Sequence, residues 1–266
     1  MTVHFKSKCS LSLIALLIGL NCFGQSEWKN WDGVNLNLGV TRKIDIEVSH
    51  LRAYNISQSF LNSFNQWGIG MDYDFTKKLS AKIGYKLTSF PSGSVSTNRF
   101  LARGTYKIHL AKVISWSNAI QGEVNAAAGK GNYYRIIYMT RFAPRKRLNF
   151  LRLSPSVSYW LYYNIGGNAI QYFDEAGSPL VKETPDGIHR GRFTLNLNSK
   201  INNNLSLSLY YMNQHEFNLV GNDINVVDPN TGKVARPFNN FHVAGLSLAF
   251  SFDLYKKKSR QKNDNN

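Results

Sequence analysis

Leu205, Leu207 and Leu209 alternate with Ser206, Ser208 and Tyr210 in the stretch NNNLSLSLYY. A strand sends successive side chains to opposite faces, so the three leucines share one face. The same period of two recurs in eleven segments, at about 33–41, 44–54, 64–75, 79–88, 98–110, 113–125, 133–142, 150–162, 189–199, 205–214 and 241–254. Most hold 9 to 13 residues. That exceeds the roughly 5–6 residues of an ordinary globular strand and suits the roughly 9–11 of a tilted membrane-crossing strand.

The apolar sets are consistent from segment to segment. Trp67, Ile69, Met71, Tyr73 and Phe75 form one, and Leu79, Ala81, Ile83, Tyr85 and Leu87 the next. Ala244, Leu246, Leu248, Phe250, Phe252 and Leu254 close the series. Opposite faces are small, polar or charged, as in Lys82 and Lys86, or Ser154, Ser156 and Ser158. One segment departs from this rule. Ile44, Ile46 and Val48 share a face with Arg52, which predicts a bulge near His50 or an Arg52 beyond the apolar band.

Connections alternate in length. Those at 41–43, 76–78, 111–113, 143–147 and 201–204 are short, and those at 55–63, 88–97, 126–132, 163–188 and 215–240 are long. Short turns at one end and long loops at the other are the pattern of outer-membrane barrels. DEAGSP and DPNTG, in the two longest loops, are turn signals that predict hairpins.

Alternation alone does not say which face is outside. A soluble, lipocalin-like periplasmic ligand-binding barrel would turn its apolar face inward. Against it, eleven such segments carry about 55 large apolar side chains, too many for the inside of one small barrel. Aromatics also gather at both segment ends, as rings at two membrane–water interfaces would. The expected fold is therefore all-β: a closed antiparallel transmembrane β-barrel over residues 25–255, with short periplasmic turns and long outer loops. The first and last segments run in the same direction, so even parity calls for one more strand. SEWKNW, ahead of Asp32-Gly33, is the candidate, giving about twelve strands with ten as the alternative.

Residues 1–24 change the picture of location. Lys6 and Lys8, the apolar run LSLIALLIGL and the small residues Cys22 and Gly24 read as a secretory signal peptide cut ahead of Gln25. The run is too short for a membrane-spanning helix. Export then leads to the outer membrane of a Gram-negative-type bacterium. Both cysteines, Cys9 and Cys22, fall inside the signal, which excludes disulfides, thiolate metal sites and a Cys nucleophile from the processed chain. Of 32 basic residues 30 remain against 16 acidic ones, a balance of +14. The tail KKKSRQKNDNN, 256–266, reads as basic and disordered.

The order of motifs resembles an uncharacterised barrel family, domain of unknown function 2490. NWDGVNLNLGVTRKIDIEVSHLRAYN resembles its opening, and WGIGMDYDFTKKLSAKIGYKL its next hairpin. NRF at 98–100, YRIIYMTRF at 134–142 and HRGRFTLNLNSKINNNLSLSLYYMNQ at 189–214 resemble later elements. The resemblance implies an outer-membrane-type barrel with no known activity and supplies no catalytic residues. The family pattern often carries an Arg-x-Glu-x-x-Arg-like run at the seventh segment. Here Arg135 and Arg141 stand in it, but Ile137 and Met139 occupy the inward positions between them, so no local Glu partner is present.

Parity assigns eleven bases to the inward face: Lys82, Lys86, Arg99, Arg103, Lys107, Arg135, Arg141, Arg152, Arg190, Arg192 and Lys200. Six acids oppose them: Asp45, Glu47, Asp72, Asp74, Glu123 and Asp253. A dry interior would not tolerate the excess, so either an Arg–carboxylate network plugs the barrel or water enters. The candidate lumen or binding residues are Arg99, Arg103, Arg135, Arg141, Arg152, Arg190 and Arg192.

Other chemistries find less support. Ser49 and His50 are adjacent and so point to opposite faces, and His215-Glu216 has no nucleophile nearby in sequence. A lipid-acting enzyme, hydrolase or deacylase, is thus an alternative and not the expectation. His50, His109, His189, His215 and His242 are scattered without metal-ligand spacing, and no glycine run has phosphate-loop spacing. No catalytic, cofactor-binding or metal residue is assigned, and nucleic acid is not an expected partner. The expected partners are outer-membrane lipid, lipopolysaccharide and small anionic solutes. The expected role is structural, binding or small-solute passage, with anions favoured.

Overall fold

The computed structural model describes residues 27–91, 96–110, 113–126 and 133–255. The segment read as a signal and the tail 256–266 lie outside the described residues. Eleven strands close a barrel: β1 (Glu27–Gly39), β2 (Ile44–Asn55), β3 (Leu61–Asp74), β4 (Leu79–Ser89), β5 (Thr97–Leu110), β6 (Ile114–Asn125), β7 (Tyr134–Pro144), β8 (Leu153–Ile165), β11 (Gly187–Lys200), β12 (Leu205–Gly221) and β13 (Phe241–Asp253). Between β8 and β11, β9 (Ile170–Phe173) and β10 (Pro179–Glu183) form the separate hairpin that DEAGSP predicted. DPNTG turns the chain back on itself without regular strands: Val227 and Val234 form an antiparallel bridge, and the backbone N–H groups of Asp228 and Ala235 donate to the carbonyls of Lys233 and Val226, both at 2.8 Å.

Three of the short turns are fixed by a side chain within them. Thr41 Oγ1 accepts from the backbone N–H groups of Lys43 and Ile44, at 3.1 and 3.0 Å. Thr76 does the same for Lys78 and Leu79, and Asn202 for Asn204 and Leu205. A side-chain oxygen that satisfies two orphan donors fixes the reversal, and with it the register of each hairpin.

Ten of the barrel's neighbouring pairs are antiparallel and the closing pair, β1 with β13, is parallel. This corrects the expected twelve strands. SEWKNW does not form an extra strand: from Glu27 onward it belongs to β1, which pairs over its full length with β13. Parallel pairing is slightly weaker per residue. Side chains reinforce it here. Asn30 Nδ2 donates to the Ala244 carbonyl at 3.1 Å and Asn35 Nδ2 to Ser247 Oγ at 2.9 Å. Tyr210 lies across Gly245, so close that a Cβ there would collide with the ring, and its hydroxyl donates to the Trp31 carbonyl at 3.2 Å. Only a residue without a side chain leaves room for that crossing.

The apolar stripe is on the outside. Ile69, Ile83 and Ile120 are 55, 56 and 64% exposed, whereas Leu101, Ile137 and Met212 on the opposite face are buried. The arrangement is the reverse of a lipocalin-like interior. Arg52 points outward with Tyr54, 5.5 Å from that ring. There is no bulge at His50. The register irregularity falls between Ala53 and Tyr54, against β3.

Candidate functional site

The inward side chains of the long-loop half enclose a cavity of about 840 Å³. Lys82, Lys86, Arg99 and Arg103 reach it from β4 and β5, and Arg135, Arg190 and Arg192 from β7 and β11. Lys29 joins them from β1, while Glu47 and Glu123 are the acidic residues of the lining. Eight bases thus face the space with two carboxylates. Strand alternation brings this about, because Lys-x-x-x-Lys and Arg-x-Arg keep every charge on one face.

Part of the charge is paired. Lys82 Nζ lies 2.6 Å from Glu47 and 3.1 Å from Asp72, with Arg103 3.8 Å from Asp72. Glu123 on β6 takes Arg99 at 3.6 Å and Arg135 at 3.3 Å, so the partner missing from the seventh segment comes from the strand beside it. Arg190 meets Glu216 at 2.5 Å. Among the described residues neither Arg192 nor Lys86 has a carboxylate within ion-pair distance, and Arg192 donates through Nε to Gln214 Oε1 at 2.9 Å.

Five of the seven arginines singled out in the sequence therefore converge: Arg99, Arg103, Arg135, Arg190 and Arg192. Two do not. Arg141 keeps inward parity but lies at the short-turn end beside Ser117 and Ser158, outside the cavity lining. Arg152 belongs to a 3-10 turn, Phe150–Arg152, and not to a strand, because Leu151 and Arg152 both take positive φ and β8 begins only at Leu153. Periodicity had extended the eighth segment three residues too far. Glu216 was missed because β12 runs on to Gly221, which keeps it in phase with Met212 and Gln214.

Glu216 also ties loop 222–240 to the rim. Its carboxylate accepts from the backbone of Asn239 at 2.9 Å and lies 3.7 Å from Arg236. Burial draws the Arg236 guanidinium below the ordinary arginine range. The same loop reaches the β9–β10 hairpin, where Asn230 donates to the Gly177 carbonyl at 3.2 Å and Tyr172 to that of Asp223 at 3.0 Å. At the loop's tip, a hydrogen bond from the Thr231 hydroxyl holds the Asp228 carboxyl below the usual carboxylate range.

Outside the barrel, Asn213 links two histidines. Its Oδ1 lies 3.3 Å from His215 Nδ1 and its Nδ2 3.2 Å from His242 Nδ1. Tyr159 and Tyr211 hydroxyls complete the network, at 3.0 Å from His215 and 2.8 Å from His242. None of these hydrogen bonds involves a serine.

A closed barrel with an apolar exterior and a basic interior is the class that fold and site define. Residues 28–225 match the family described as protein of unknown function (DUF2490), and the chain belongs to that family. No curated protein matches the chain. Among solved structures it is similar to a crystal structure of an OccD1 (OprD) variant, with 15% identity over 66% of this chain and a TM-score of 0.31. The match spans 46% of the OprD chain.

Proposed function

We propose that the protein is an outer-membrane β-barrel whose basic lumen passes or holds small anions. The observation that carries this reading is the cavity lining of eight bases against two carboxylates, inside a wall whose outer face is apolar. Closure satisfies the strand backbone without water, which an open sheet in hydrocarbon could not do. Exposed Ile, Leu and Phe at successive outward positions are then solvated by acyl chains. Within the wall, fixed cations raise the local concentration of anions and repel cations. Ion pairs to Glu47, Asp72, Glu123 and Glu216 hold part of the charge in place, while Arg192 and Lys86 have no carboxylate within ion-pair distance among the described residues.

Fractionation tests the location: the folded protein is expected in the outer membrane, migrating faster on a gel before heating than after. Planar-bilayer recording tests the role, with a conductance that favours chloride over potassium as the expected result. A reconstituted barrel that conducts nothing, or prefers cations, would end the passage reading. The reading assigns no catalysis. Lipid hydrolysis by purified protein that disappears in His215→Ala would replace it with a lipid-acting enzyme.

A further inference from the structure

The cavity wall has two chemically different arcs. Following the barrel from β4 to β11, the basic arc carries Arg99, Arg135, Arg190 and Arg192. From β3 through β1 to β13 the wall carries an aromatic cluster: Trp31 lies 5.7 Å from Phe64 and 6.1 Å from Phe241, ring centre to ring centre, and Lys29 Nζ sits 4.1 Å over the Phe241 ring. The arcs meet at Arg192, whose guanidinium is 5.7 Å from the Trp31 ring and 5.2 Å from that of Tyr162. Arg135 and Arg190 stand 5.5 and 5.9 Å from the same tyrosine.

Two donors in this corner are unused. The Tyr162 hydroxyl and the Trp31 indole N–H are buried without a hydrogen-bond partner, although Tyr162 is only 2% exposed. A buried donor without a partner is destabilising, so an occupant that accepts from it relieves that cost. Guanidinium groups, a phenol hydroxyl and an indole N–H all donate, and together they call for an acceptor-rich anion. The flat apolar rings beside them call for a flat apolar body.

We propose that this corner binds an aromatic monocarboxylate. The carboxylate accepts from Arg192 and the Tyr162 hydroxyl, and its ring lies against Trp31 and Phe64. Inorganic phosphate would satisfy the donors but leave the aromatic arc facing water, and an aliphatic acid as short as acetate would do the same. This assignment rests on the proposed anion-holding lumen and adds the class of anion.

The test uses the full chain folded in detergent micelles, with calorimetric titration of benzoate, acetate and inorganic phosphate. Benzoate is expected to bind at least about tenfold more tightly than either of the others. Tyr162→Phe removes one hydroxyl and no ring, and is expected to weaken benzoate by about tenfold, the value of a hydrogen bond to a charged group. Phe64→Leu is expected to weaken benzoate and leave acetate unchanged. Equal affinities for benzoate and acetate, phosphate bound as tightly as benzoate, or an unaltered Tyr162→Phe would each overturn the assignment. Chloride current in the bilayer separates the two readings. Current without benzoate preference removes the aromatic site and keeps the passage, whereas benzoate preference without current keeps the site and removes the passage.

Discussion

The two arcs of the cavity wall are held by different means. On the basic arc, neighbouring strands exchange charge: Glu123 on β6 serves Arg99 on β5 and Arg135 on β7. On the aromatic arc the wall includes the parallel seam, and there neutral hydrogen bonds from Asn30 and Asn35 are joined by close packing: Tyr210 folded over Gly245, Trp31 against Phe64 and Phe241. Charge tolerates water and small displacements, while a ring laid over a glycine tolerates no added atom. Most of the lumen's basic charge thus resides in one arc, and the closing seam of the barrel in the other.

Reversing the basic arc gives the largest expected effect. Arg135→Glu combined with Arg192→Glu should turn a chloride-preferring barrel into a potassium-preferring one, read as a change of sign in the reversal potential under a salt gradient. The aromatic arc should respond in stability and not in selectivity. Gly245→Ala places a methyl against the Tyr210 ring, and overpacking of this kind costs about 1–3 kcal/mol, measurable as a lower urea midpoint in the unheated-gel assay. The smallest effect belongs to the arginines outside the cavity. Arg141→Gln and Arg152→Gln should each change stability by less than about 0.5 kcal/mol and leave ion preference where it was.

The same contrast explains what could be read from the sequence. The basic arc was legible because Arg99-x-x-x-Arg103 and Arg190-x-Arg192 repeat at the strand period inside apolar segments, so parity placed them inward. The aromatic arc was not. Phe64, Phe241 and Trp31 stand near strand ends, where an inward ring and an interfacial ring have the same sequence appearance. Which alternate face a ring occupies there depends on where the strand begins, and strand ends are the least determined part of a periodic pattern. Arg152 failed for that reason, its segment having been started three residues early, inside the turn. Parity correctly detected that the first and last segments run the same way. An extra strand was expected because an all-antiparallel ring must have an even count, whereas the chain closes with one parallel pair.

That odd count reaches beyond the wall itself. If the barrel sits in a bilayer, anything fused ahead of Glu27 and anything fused behind Asp253 would emerge into different compartments. A protease added to intact cells would then clip an epitope at one terminus and spare an epitope at the other.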